Sequence, residues 1–333
     1  MRARTTEAVA CGWCKARFEV DPRDGALPYQ CPECPEQLSL GSLRYPNLNS
    51  KAISIHHHVG DAVAENLRRH SLAFVYSRRK SRAGSGTLVS IGNRLLIATA
   101  GHTVPESPEH VTLVGKRTPY QVECAPAILA VARSEVHDVG LIEVACDAPG
   151  QMGMEPIGIG RIADLGSGRH HRSSWLVGYP SASQIPNSPK PGVLGFVGHV
   201  AACEPIDPIA WHRIKLGKDD DPLDPDGHAM FYYSVTDPLF VHPDNPCRDE
   251  FAARPHGMSG GGFWQAPQST EGGNWYPHDV CLYAIQSAWC FGHMHVKAIQ
   301  IIHWLRLVAD TYQHLREELI DAFPRLLEIS EDL

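Results

Sequence analysis

Gly257-Met258-Ser259-Gly260-Gly261 decides how the rest of this 333-residue chain is read. Alone, a serine among glycines is an ordinary flexible loop. A serine hydroxyl is a poor nucleophile near neutral pH. It becomes an effective one when a base takes its proton, a carboxylate orients that base and backbone N–H groups hold the oxyanion. Upstream, Thr99-Ala100-Gly101-His102 follows the apolar run Leu95-Leu96-Ile97, and His137-Asp138 precedes Val139-Gly140-Leu141. His102 stands apart from the other histidines because the small residues before it leave room for its ring and a substrate. The imidazole must be neutral to act as a base, so activity is expected to fall as His102 protonates. The apolar run after Asp138 points to partial burial, which suits a carboxylate bonded to a histidine; His137 is a nearby decoy.

His102, Asp138 and Ser259 occur in the chain order of the chymotrypsin arrangement, which differs from the subtilisin and α/β-hydrolase orders. Further motifs agree. Gly84-Ser85-Gly86-Thr87-Leu88-Val89-Ser90 and Leu95 to His102 look like "GSGFLV…ILTAAH"; Asp138 to Val144 looks like "D-x-A-L-L-x-V". Gly257 to Gly261 looks like "GDSGG", and Leu282 to Ser287 like the "LVGIVS" strand that follows it. The stretch 70–315 therefore resembles a trypsin-like (chymotrypsin-fold) serine protease. The resemblance implies a mainly β fold of two six-stranded antiparallel β-barrels with a C-terminal helix. It makes Ser259 the nucleophile, His102 the base and Asp138 its orienting group. It also places the oxyanion hole at the N–H groups of Gly257 and Ser259, each worth roughly 3–4 kcal/mol to the transition state. Ser287 is implied as a support that hydrogen-bonds Asp138. The implied substrate is a protein or peptide.

Local patterning agrees with a β fold. Short β-branched and apolar runs divided by Gly, Pro and Asn predict strands at Ser71–Tyr76, Gly86–Ile91, Arg94–Ala98, Val111–Val114, Ala127–Ala132 and Val139–Val144. A second set covers Ser174–Gly178, Gly195–Ala201, Met230–Val235, Gly261–Gln265, Val280–Gln286 and His295–Ile299. Barrel 1 is expected over 70–150 and barrel 2 over 170–300. Apolar residues near helical spacing predict C-terminal helices within 301–330, at Ile301–Leu307 and Gln313–Leu327.

Residues 9–40 form a separate module. Cys11-Gly12-Trp13-Cys14 and Cys31-Pro32-Glu33-Cys34 give two C-x2-C pairs sixteen residues apart. Two thiolates from each tight turn can close a tetrahedron around Zn²⁺, and so short a segment needs a metal to supply folding energy. The module resembles a zinc ribbon holding one structural Zn²⁺ through Cys11, Cys14, Cys31 and Cys34. Four thiolates leave no open coordination position for catalysis. Residues 41–69 read as a linker.

Composition narrows the setting. The net charge of −7 gives no footprint for nucleic acid or an anionic membrane, and no run of 18 apolar residues is present. The N-terminus lacks the apolar core of a secretory signal. Secreted trypsins carry cysteines after the catalytic His and four residues before the Ser; Thr103 and Pro255 stand there. A cytoplasmic location is expected. His56-His57-His58 and the Asp219–Asp221 run read as solvated segments, without a ligand set spaced for a metal.

Departures from the trypsin pattern carry information. Met258 replaces an Asp that pairs with a new N-terminus after cleavage, so no trypsin-style activation is expected, as in bacterial Deg-type relatives. Ala253 stands where trypsin has a pocket-floor Asp, and Trp289, after Ala288, stands where a wall glycine is usual. These favour a small or medium apolar P1 side chain; Arg254 and His256 favour an acidic one instead. The leading expectation is an intracellular serine endopeptidase whose zinc ribbon recruits a protein partner or regulates it. Two alternatives stay open: a catalytically silent trypsin-fold binding module, and a nucleic-acid-sensing ribbon with a protease effector.

Overall fold

The computed structural model describes residues 62–76, 79–106, 109, 111–117, 120–124, 127–163, 174–180, 184–185, 195–196, 198–206, 208–213, 223–233, 257–266, 276–290 and 295–328, with five short strands nearer the N-terminus. Those five are β1 (Glu7–Cys11), β2 (Arg17–Val20), β3 (Tyr29–Gln30), β4 (Gln37–Leu38) and β5 (Leu43–Arg44). β1 pairs antiparallel with β2 and β5, and β3 with β4.

A helix, α1, spans 62–68. The first half-molecule then runs through β6 (Ser71–Tyr76), β7 (Arg79–Ile91), β8 (Arg94–Ala100), β9 (Val111–Arg117), β10 (Tyr120–Cys124), β11 (Ile128–Ser134) and β12 (Val139–Val144). A short helix α2 (Ala148–Met152) and the two-residue β13 (Ile157–Gly158) lead onward. The second half has β14 (Ser174–Gly178), the paired β15 (Gln184–Ile185) and β16 (Gly195–Phe196), β17 (His199–Pro205), β18 (His228–Tyr232), β19 (Gly262–Gln265), β20 (Cys281–Cys290) and β21 (His295–Gln300). Helices α3 (Ile301–Thr311) and α4 (Arg316–Ala322) close the described chain.

The two halves share one topology. In the first, neighbours run β9-β6-β7-β8-β12-β11, with β10 a hairpin extension of β9; in the second, β14-β17-β18-β21-β20-β19 closes on itself. Counting the six strands of each half in chain order, the first reads 4-1-2-3-6-5 and the second 1-2-3-6-5-4, the same cyclic order, with the first left open between strands 4 and 5. That repeated order, with antiparallel pairing and a C-terminal helix, is the chymotrypsin-like architecture of two six-stranded half-barrels.

Period-two alternation explains why the strand sequences are apolar on both faces. On β8, Ile97 enters the core of the first barrel with Leu72, Phe74 and Leu88, while Leu96 and Ala98 face the shared core between the halves. On β14, Leu176 enters the second barrel with Phe231 and Phe263, while Trp175 and Val177 join Leu96 and Ala98 in the shared core.

The sequence reading needs correction in four places. The stretch read as linker ends in α1, whose Val63 and Leu67 are fully buried in the shared core beside Trp304 and Leu305 of α3. Burying each such side chain is worth about 1.5–3 kcal/mol. The expected strand Gly195–Ala201 divides between β16 and β17, and Met230–Val235 shifts earlier to β18. The expected helix Gln313–Leu327 is α4 flanked by 3-10 turns at Gln313–Leu315 and Pro324–Leu327. Pro324 has no N–H to continue an α-helix, and the chain turns there.

Candidate active site

His102 sits on a 3-10 turn, Gly101–Thr103, directly after β8. Hydroxyls brace the turn. Thr103 donates to the Ala100 carbonyl at 2.6 Å, Thr99 donates to the Ser85 carbonyl at 2.7 Å, and the two threonine oxygens lie 2.8 Å apart. The Thr103 position, a cysteine in secreted trypsins, is thus a hydrogen-bonding post.

Asp138 begins the approach to β12 with φ 49°, the left-handed conformation, and is the one non-glycine with positive φ among the described residues. Aspartate tolerates this region better than most residues, at a cost of order 1–2 kcal/mol. The conformation turns the carboxylate onto His102. Oδ1 accepts the His102 backbone N–H at 2.8 Å, and both carboxylate oxygens lie 3.0 Å from the imidazole Nδ1. The Gly101 N–H donates to the Asp138 carbonyl at 2.8 Å. A Cβ at Gly101 would stand 3.0 Å from the Ser134 carbonyl oxygen, so glycine is what lets the two segments approach. With Nδ1–H directed at Asp138, Nε2 presents its lone pair outward as a base. The side chains are 50% and 33% exposed, so the pair acts by orientation rather than by adding stability.

The loop carrying Ser259 crosses from the second barrel to meet this turn. The Ser259 carbonyl accepts the Ser85 N–H at 2.8 Å, and the Ser85 hydroxyl donates to the Gly257 carbonyl at 3.0 Å. Gly260 has φ 87°, and a Cβ there would lie 2.0 Å from Thr99 Oγ1 and 3.0 Å from the Ala100 nitrogen. Only glycine fits both the dihedral and the space, so the residue after Ser259 is wedged against the residue two before His102. Gly257 also has φ 87°. Among the described residues, the N–H groups of Gly257 and Ser259 carry no hydrogen bond. Met258 is fully buried with Leu176, Phe231 and Phe263, and Tyr233 Oη lies 4.0 Å from its sulfur.

Other sequence candidates fall differently. Ser287 does not make the expected bond to Asp138; it sits at a bulge in β20 and its hydroxyl donates to the Lys297 carbonyl at 3.4 Å. The bulge turns it toward its own sheet. Ala288 and Trp289 are half-buried on β20, the indole packed against the second-barrel core. Ala253 and His256 lie outside the described residues. The decoy His137 packs against His303 of α3, ring centroids 4.1 Å apart and planes tilted by 32°.

Of the expected zinc ligands, Cys11 ends β1, while Cys14, Cys31 and Cys34 lie outside the described residues. Among the described residues no group of three metal-ligating side chains is present. The sequence alone does not single out Ser85, Thr99 or His303; Ser85 lies within Gly84–Ser90, whereas nothing local marks His303.

No family model and no curated protein matches the chain. Solved structures do. The scabies mite inactivated protease paralogue S-D1 is 10% identical at TM-score 0.45, over 76% of this chain and 95% of that one. The Rv3671c protease in its inactive form is 13% identical at TM-score 0.41, over 76% and 94%. The protease Anisep from Arthrobacter nicotinovorans is 14% identical at TM-score 0.37, over 73% and 96%. At these scores the likeness is recorded without weight; the strand order and side-chain geometry stand on their own.

Proposed function

We propose that the chain is a serine endopeptidase. The single observation behind this reading is the His102–Asp138 pair, both carboxylate oxygens 3.0 Å from Nδ1, standing where the Ser259 loop is wedged into Thr99 and Ala100. In the proposed mechanism Nε2 of His102 takes the Ser259 hydroxyl proton as Oγ attacks the peptide carbonyl. Asp138 holds the imidazolium that forms. The Gly257 and Ser259 N–H groups receive the oxyanion, and His102 then returns the proton to the leaving amine, giving the acyl-enzyme. Water, activated by the same imidazole, releases the acid and restores Ser259.

Buried Met258 supports an enzyme assembled without N-terminal cleavage. Its apolar surroundings hold the loop by packing, where an ion pair to a released amine would otherwise be needed. A processed N-terminus near residue 70 in active material would overturn this. For the module at 9–40, one structural Zn²⁺ is proposed, with a recruiting or regulatory role for a protein partner in the cytoplasm. Each C-x2-C pair interrupts an antiparallel strand pair in sequence, β1/β2 and β3/β4, which is where a metal staple joins two hairpins.

The test is labelling with a fluorophosphonate probe. Wild type should be labelled, Ser259→Ala should not, and His102→Ala should label far more slowly. Absence of labelling in folded wild-type protein would favour the silent binding module.

A further inference from the structure

The first turn of α3 contacts the chain on both sides of Asp138. His303 packs against His137, the residue before it, with ring centroids 4.1 Å apart and planes tilted by 32°. Trp304, the next residue of α3, donates its indole N–H to the Gly140 carbonyl at 3.0 Å, two residues after it. Trp304 is fully buried and His303 is 5% exposed. Among the described residues neither His303 ring nitrogen makes a well-formed hydrogen bond; the Asp226 backbone gives only a weaker polar contact. A buried polar ring left in this state costs about 1–3 kcal/mol, and an apolar side chain would fill the space without that cost. The neighbouring backbone holds the one non-glycine residue with positive φ among the described residues: Asp138, at φ 49°. Such a conformation persists only where its surroundings over-determine it. On the front, Gly101 and His102 supply the restraint. On the back, it comes from α3.

We infer that His303 is a positioning residue for Asp138: its tilted ring contact with His137, together with the Trp304–Gly140 bond, clamps the backbone that aims the carboxylate at His102. This rests on the serine endopeptidase reading. His303 never touches the reacting atoms. It acts through His137 on where Asp138 Oδ1 and Oδ2 stand, and so on how His102 is held. The groups that face His303 are His137 from the turn before β12, His228 from β18, and Asp224 and Asp226 from the turn before β18. Burial, then His137 and His228, disfavour its cation against the opposing pull of the Asp226 backbone and the Asp224 carboxylate, so it packs as a neutral ring.

The test compares full-length wild type with His303→Ala, His303→Phe, His137→Ala and the double alanine variant. The probe is a fluorophosphonate, with the maximal labelling rate and the half-saturating concentration measured separately. His303→Ala should lower the maximal rate by about tenfold to a hundredfold, the range set by a misplacement of up to 1 Å, and leave half-saturation unchanged. His303→Phe, which keeps a ring at that contact, should recover most of the rate. His137→Ala should cost as much as His303→Ala, and the double variant no more, because both remove one contact. If His303→Ala does not fold, the variant His137→Ala, in a half-buried turn, and its rescue by His137→Phe carry the test.

A second readout is the His102 Nδ1–H proton resonance, shifted far downfield by a carboxylate partner. It should move upfield in His303→Ala. Wild-type labelling rates in the alanine variants, multiplying losses in the double variant, or an unmoved resonance would overturn the inference. Failure of wild type itself to label would instead count against the endopeptidase reading. The resonance would still decide the positioning role.

Discussion

The Ser85 hydroxyl donates to the Gly257 carbonyl at 3.0 Å, and the same oxygen accepts the Tyr179 N–H at 2.8 Å. One buried side chain of the first barrel thus ties the loop carrying Ser259 to the end of β14. Ser85→Ala leaves a buried N–H and a carbonyl without their partner, a loss of about 1–3 kcal/mol. The expected outcome is that loss in urea unfolding together with slower fluorophosphonate labelling. Slower labelling at unchanged stability would show that the loop tether acts only on the site.

Met258 sits in an apolar pocket with Tyr233 above its sulfur. Met258→Asp would restore the residue usual in trypsins and bury a carboxylate among Leu176, Phe231 and Phe263. With no cation among its described neighbours, the cost should be about 3–5 kcal/mol, the scale for an uncompensated buried charge. Met258→Leu, close in volume, should cost less than about 1.5 kcal/mol. Equal unfolding midpoints for the two variants would contradict the packing described.

Stability should fall on mild acidification. His70 donates from Nδ1 to the Glu155 carbonyl at 2.7 Å and faces Arg161 Nη1 with Nε2 at 2.8 Å. Its pKa is lowered, chiefly by burial. Burial also pushes His303 down, to about 4. In the unfolded chain both groups protonate near the ordinary value of about 6.5. Below that pH the unfolded chain binds more protons than the folded one, so the free energy of unfolding drops as pH drops. The contribution is complete above about pH 6.5 and is lost toward the folded value; for His303 it is of order 3 kcal/mol. Urea titrations at stepped pH should show a flatter acid limb for His303→Phe than for wild type. Parallel curves would contradict it.

Metal analysis should find one Zn²⁺ per chain, lost in Cys14→Ser or Cys31→Ser and on treatment with a strong chelator. Four thiolate ligands must deprotonate to bind, so retention should weaken in acid. Chelation should unfold the N-terminal module and leave fluorophosphonate labelling intact. Loss of labelling with the metal would mean the module supports the site directly.

The His102–Asp138 contact is legible in the sequence because its parts are local. A strand followed by Ala-Gly-His, and an Asp before an apolar run, are each fixed by neighbours in sequence, and the strands they ride on formed where alternating or continuous apolar runs predicted them. Ser287 was misjudged because one bulge in β20 redirects a side chain, and a bulge leaves no composition signal. His303 was missed because its meaning arises from a contact with His137, far away in sequence. The helix at 62–68 was hidden within a polar stretch, since only Val63, Ala64 and Leu67 mark its buried face. Pocket residues Ala253 and His256 stay expectations.

That helix also bears on how the protein can be dissected. Arg161, between the two barrels, donates to Asn66 at 3.1 Å and to the Val280 carbonyl at 3.0 Å, while Leu67 fills the shared core. A fragment cut at the first barrel strand, where resemblance alone would place the boundary, would open an oily trench beneath α3 and strand a guanidinium at its rim. The smallest autonomous two-barrel fragment therefore has to start upstream of residue 62. A shorter fragment found inert would report on the cut, not on the chemistry.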